Sequence, residues 1–194
     1  MTAAAHHVAP AVAATIYAAA GLRIFPCDPA SKRPLISDWP NAATADAAQV
    51  AAWWATWPNA LIGCALKGSR VLVLDGDNHR EEVAGAESGV DFLWRNLAHY
   101  GVAPTAWAAT AGAGVHVPMW LPEGVTHGNS SPWRAGYIDV RGPGSGADGG
   151  GYVILPGSIR ADGARWSVAG RRSPVSVRGT PSGGTRACWR PARG

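Results

Sequence analysis

Residues 71–79, Val-Leu-Val-Leu-Asp-Gly-Asp-Asn-His, constrain this chain more than any other stretch. Four apolar residues, two of them β-branched, run directly into two aspartates separated by one glycine. A short apolar run of this kind reads as a buried strand. Side chains two apart on a strand share a face, so Asp75 and Asp77 project together from its end. Gly76 between them is expected to leave room for whatever approaches the pair. Two carboxylates held this close repel, and a divalent cation or a shared proton relieves the repulsion. The same residues also satisfy an Asp-Gly turn closing a hairpin. Both readings stand on this stretch alone.

The rest of the composition sets limits. At 194 residues the chain is long enough for one domain with a substantial core, and ten tryptophans help to build it. No apolar run approaches the roughly 20 residues that cross a bilayer, so no membrane partner is expected. The first 21 residues lack the basic flank and long apolar core of a secretory signal, and a cytoplasmic protein is the expectation. Cys27, Cys64 and Cys188 are scattered, against both a disulfide framework and a zinc site. The net charge of +4 is a property of one end. Residues 170–194 hold six arginines and no acid, while the other residues carry 11 basic against 13 acidic side chains. That basic segment, rich in Gly, Pro, Ser and Arg, reads as a disordered tail or linker after a folded domain at 1–169. It suits electrostatic contact with nucleic acid or plain solvation equally.

In chain order, residues 8–20 predict an alanine-rich helix stopped by Gly21. Leu22–Cys27 predicts a strand, and residues 28–40 a proline-punctuated loop bearing Lys32 and Arg33. Thr44 is expected to cap a helix whose Val50, Trp53, Trp54 and Trp57 fall at helical spacing, for core packing rather than base stacking. Residues 60–66 and 71–77 predict two strands, and residues 88–100 a helix with Val90, Leu93, Trp94, Leu97 and Tyr100 on one face. Residues 105–122 predict two strands joined by a small glycine turn. In the second, His116 shares a face with Pro118 and Trp120, and the proline points to an edge or a bulge. Gly112 and Gly114 precede His116, and small residues there let a ligand approach the backbone. Tyr137–Val140 predicts a strand with Asp139 and Arg141 on one face. A glycine-rich loop, the strand at 151–156, a turn and a last strand at 165–168 follow, so a β-rich half succeeds an α/β half.

Taken together, FPCDPASKRP, WWATWPNALIG, VLVLDGD, TAGAGVH, YIDVRG and GGYVILPGS, spread over residues 21–168, resemble the catalytic domain of bifunctional DNA primase/polymerases (prim-pol) of the archaeo-eukaryotic primase superfamily. The order of the motifs carries the resemblance. It implies a mixed α+β fold: a two-part catalytic domain with an N-terminal α/β unit and a β-rich, RRM-like unit, its mixed or antiparallel sheets flanked by helices. It implies that Asp75, Asp77 and Asp139 are catalytic and hold two divalent ions, Mg²⁺ or Mn²⁺. His116 is expected at the phosphates of the incoming nucleotide, and Arg141 can add a bidentate phosphate contact. Gly112, Gly114 and Lys32 complete the expected nucleotide-binding set, Lys32 reaching a phosphate or the template. Asp148, in the glycine-rich loop, is the rival for the third acid. The implied partners are a single-stranded DNA template and primer, dNTPs or NTPs, and a separate replicative helicase, in plasmid, phage or mobile-element replication. Extension of primers is expected ahead of de novo priming. Two other readings remain: a metal-dependent phosphoesterase or nuclease using the same acids, and a catalytically silent nucleic-acid-binding module.

Overall fold

The computed structural model describes residues 8–77, 87–133, 138–144 and 150–171. In chain order they form α1 (Pro10–Ala19), β1 (Ile24–Cys27), α2 (Trp39–Ala42), α3 (Ala47–Thr56), β2 (Leu61–Ala65), β3 (Val71–Gly76), α4 (Gly89–His99), β4 (Ala106–Ala109), β5 (Val115–Trp120), β6 (Ser130–Trp133), β7 (Ile138–Arg141), β8 (Tyr152–Ile154) and β9 (Ser167–Arg171). The fold is mixed α+β, with two antiparallel sheets.

Local chemistry explains most helix boundaries. Pro10 opens α1, where its missing N–H costs nothing, and Gly21 at φ +81° takes the left-handed position beyond its end. The face of α1 turned inward is small, Ala13, Ala14 and Ala18, which lets the helix lie close to α3. Asp46, not Thr44, caps α3: its Oδ1 accepts from Gln49 N at 2.7 Å. Thr44 is held elsewhere, exchanging two backbone hydrogen bonds with Ile24. Ser88 caps α4 by accepting from Asp91 N. The single turn α2 begins in the last two residues of the stretch expected to be loop and continues through Ala42.

The smaller sheet has the order β1-β2-β8 and the larger β6-β7-β3-β5-β4-β9. The two halves anticipated from the sequence interleave. β3, in the first half of the chain, is central in the larger sheet, and β8 returns from the second half to pair with β2. Pro132 sits in β6, an edge strand, where a residue without an N–H is tolerated. Pro118 sits in an interior strand, but β4 pairs with β5 only at Val115 and His116, leaving the rest of β5 with one neighbour. The final strand runs through Gly170 and Arg171, which pair with Trp107 and Ala106. Pairing thus reaches two residues into the segment expected to be tail, whose remainder, 172–194, lies outside the described residues.

One core lies between α1, α3 and the smaller sheet, around Ile24, Val50, Trp54 and Ile62; Trp53 and Trp57 pack against it as the helical spacing predicts. Phe25, Leu61, Ile154 and Trp166 extend packing on the sheet's other side. A separate core joins α4 to the larger sheet through Leu93, Leu97, Val115, Val117 and Ile138. Burying each large aliphatic or aromatic side chain contributes about 1.5–3 kcal/mol. Cys27 and Cys64 belong to these interiors, and burial pushes each thiol up to about 12. The thiolate is the nucleophile, so neither attacks a disulfide reagent at pH 8 while the fold holds. In a Cys188→Ser background, Ellman's reagent is expected to find no fast-reacting thiol in native protein and two in denaturant. A fast native thiol would contradict this packing.

Candidate active site

The site is built on one register row of the larger sheet. Asp75 of β3 stands opposite His116 of β5 on one side and Asp139 of β7 on the other. The next row on the same face places Val73 opposite Pro118 and Arg141. The opposite face, with Leu74, Val115, Val117 and Ile138, packs on α4. Alternation thus sends apolar side chains to the helix and Asp75, His116, Asp139 and Arg141 to the other side. Three strands far apart in sequence meet here only through register.

Asp75 is 9% exposed, and its Oδ1 is buried with no hydrogen-bond partner. His116 Nε2 comes within 3.3 Å of that oxygen, an ion-pair distance without hydrogen-bond alignment. Across the other interface, Asp139 Oδ2 accepts from Arg141 Nη2 at 2.6 Å. Like charges directly opposite on neighbouring strands are destabilising, and a buried carboxylate oxygen left unpaired adds about 1–3 kcal/mol. Arg141 offsets the charge of Asp139 but supplies no hydrogen bond to Asp75 Oδ1.

Gly76 and Gly114 serve this arrangement differently from expectation. A side chain on Gly76 would meet Gly89 O at 3.0 Å and Leu93 Cδ2 at 3.2 Å, so its bareness admits α4 rather than a ligand. A Cβ on Gly114 would lie 2.6 Å from Gly76 O and 2.9 Å from both Asp77 Oδ1 and Thr110 Oγ1. Gly114 therefore makes room for the end of β3 and the Asp77 carboxylate, within the protein's own packing. Gly112 has open space around it and lines the cleft.

That cleft, about 510 Å³, gathers Asp75, Asp77, His116, Asp139, Arg141, Gly112 and Lys32. Of the expected site residues only Gly114 stands behind its wall, and Asp148 lies outside the described residues. The smaller sheet supplies the cleft's other components. Tyr152 of β8 donates its hydroxyl hydrogen to Lys32 O at 3.0 Å and packs edge-on against Trp39, which stacks on the buried Phe25. Burial, with Cys27 adding to it, raises the Tyr152 phenol above its ordinary range.

Several cleft residues escaped the sequence reading. Asn129 joins the segments flanking the glycine-rich loop: Oδ1 accepts from Gly142 N and Nδ2 donates to Gly150 O. Gly151 N donates to Gly142 O at 2.7 Å beside it. No motif marks Asn129, because its role depends on a contact made by folding. Trp39 falls in the stretch expected to be loop, and Arg160 lies between the last two expected strands. The Ala-Asp-Gly that follows Arg160 is an ordinary turn signal and gave no reason to place that arginine in a site.

The arrangement presents hard carboxylate oxygens beside cationic groups in a polar cleft, the chemistry that phosphates and divalent cations share. Among the described residues, no three or more His, Cys, Asp or Glu side chains form a ready-made metal cage. Also among them, no helix is long and apolar enough to cross a membrane.

Fold and cleft together define an α+β domain with an acidic strand-end site. The sequence matches the family of bifunctional DNA primase/polymerase N-terminal domains over residues 14–181, and the chain belongs to that family. It is therefore of the primase/polymerase type among nucleotidyltransferases. A comparison with curated proteins finds no match.

Proposed function

We propose that this domain extends primers on single-stranded DNA, joining nucleotides at a cation site formed by Asp75, Asp77 and Asp139. The observation that carries the reading is the pairing of Asp75 with Asp139 on adjacent strands, with Asp75 Oδ1 buried and without a hydrogen bond. A fold keeps such an arrangement against its own stability when a ligand completes it. A hard divalent cation suits that oxygen, and Asp77 and Asp139 in the same cleft offer donors of the same kind. When bound, Mg²⁺ or Mn²⁺ supplies charge neutralisation for a triphosphate and makes a primer 3′-hydroxyl more acidic.

The protein's own groups do the positioning. Asp75 and Asp139 are fixed by the ladders of β3 with β5 and β7, so the oxygens they present do not depend on a mobile loop. Arg141 uses one N–H on Asp139 and has further donors for a phosphate of the incoming nucleotide, a dNTP or NTP. His116, 12% exposed at its side chain, is held beside Asp75 and reaches the same phosphates. Trp39 and Tyr152 give the cleft an aromatic wall against which a base can lie.

A 5′-labelled primer on a single-stranded template tests this, incubated with dNTPs and Mg²⁺ or Mn²⁺, beside Asp75→Ala/Asp77→Ala and with EDTA. Longer products from the wild type alone, lost in EDTA, are expected. Shorter products would assign the acids to a nuclease. Unchanged primer with equal DNA binding by both proteins would leave a binding module.

A further inference from the structure

The cleft has a second charged region, carried by two tight turns that the acids do not involve. In the first, residues 28–33, Asp28 Oδ1 accepts from Ala30 N, Ser31 N and Ser31 Oγ, while Lys32 N donates to Asp28 O. Those bonds hold the Asp28 carboxyl below its usual range, and its charge is taken up within the turn. They also hold Lys32 at φ +63°, a left-handed conformation that a residue with a side chain adopts only at a cost. Among the described residues no carboxylate pairs with the Lys32 ammonium.

The second turn, residues 159–165, is closed by the Ile159–Arg165 bridge, by Arg160 N donating to Ala164 O, and by Gly163 at φ +88°. Ala161 N donates to Pro29 O at 3.1 Å and fastens this turn to the first. Arg160 points into the cleft, and Asp162 grips its guanidinium through Nε and Nη2. That grip lowers the Asp162 carboxyl to about 2. The turn does not need the ion pair to close, since Asp162 Oδ1 also accepts from Ala164 N at 3.0 Å. An exposed pair of this kind contributes little to stability. What the pair does is fix the direction of a guanidinium that is 33% exposed and has N–H donors to spare.

We infer that Arg160, together with Lys32, binds a phosphate group in the cleft. The inference deepens the nucleotidyltransferase reading and rests on it for the ligand's source, the triphosphate of a nucleotide or the backbone of a nucleic-acid strand. Asp162 is the positioning residue, and the locked turns keep both cations in place before the ligand arrives.

The test measures inorganic tripolyphosphate binding by calorimetry and oligo-dT binding by fluorescence anisotropy. Both are run in EDTA, so the outcome does not depend on polymerase activity. Arg160→Ala is expected to weaken one of the two ligands about 10- to 100-fold, the loss typical of a charge-assisted phosphate contact, and Lys32→Ala to weaken the same ligand less. Weakened tripolyphosphate identifies a nucleotide subsite, and weakened oligo-dT a strand subsite. Asp162→Asn keeps an acceptor for Ala164 N but gives up the charged two-oxygen grip on the guanidinium, so it is expected to weaken the same ligand, by less than Arg160→Ala does. If the pair merely braces the hairpin, Asp162→Asn and Arg160→Ala weaken binding alike, and the inference fails. It also fails if the wild type binds neither ligand, or if Arg160→Ala changes neither affinity. Primer extension lost in Asp75→Ala/Asp77→Ala but intact in Arg160→Ala, with unchanged affinities, would overturn this inference and leave the polymerase reading standing.

Discussion

Asp75→Asn is expected to lower primer extension by about 10²–10³-fold, the range for removing one preorganised electrostatic group, while raising the melting temperature. The two effects have one cause. Asp75 lies opposite Asp139, and its buried Oδ1 has no hydrogen-bond partner. Asparagine is nearly the same size, removes the charge facing Asp139 and adds an N–H₂ donor. Relief of about 1 kcal/mol is reasonable for one opposed like-charge pair. In a domain of this size that corresponds to roughly 2–4 °C. Gain of stability with loss of activity is the signature of a functional residue kept against the interest of the fold. Thermal unfolding without added divalent ions checks it. A fall of several degrees would make Asp75 a structural residue and remove the main support for the site.

The second large effect separates two glycines that look equivalent in Gly112-Ala113-Gly114. Gly114→Ala is expected to destabilise the protein by about 1–3 kcal/mol, as overpacking does, and to reduce extension at least tenfold. The added methyl would press on Gly76 O and on the Asp77 carboxylate, moving the end of β3 that presents the acids. Gly112→Ala meets no atom within 4 Å and is expected to fold with wild-type stability. Denaturant titration of both variants checks the contrast. Equal destabilisation would mean that the turn's conformation, not the close approach to β3, requires the glycines.

The sequence made some of this legible. VLVLDGD announces β3 by its β-branched residues and places Asp75 and Asp77 on one face, as strand geometry requires. Motif order groups His116, Asp139 and Arg141 with the two aspartates, and the structure brings them to one cleft. That order did not reveal that Asp75 stands in register with both His116 and Asp139, because pairing between distant strands leaves no local signature. Gly76 was assigned to the wrong side for a related reason: alternation places it with Leu74, facing α4, and that helix is not visible from residues 71–79. Asn129, Trp39 and Arg160 were missed as cleft residues because turns and loops bring them there, and their types are common in turns. Thr44 and Asp46 both suit a cap, and the bonds between Thr44 and Ile24 decide the choice in favour of Asp46.

The proposal that the acids on β3 and β7 take up a divalent cation is tested most directly by titrating the protein with Mn²⁺ and following free ion by electron paramagnetic resonance. Wild type is expected to bind Mn²⁺ saturably, and Asp75→Asn and Asp139→Asn to bind it at least tenfold more weakly. Equal binding by all three proteins, or none by the wild type, would contradict the account.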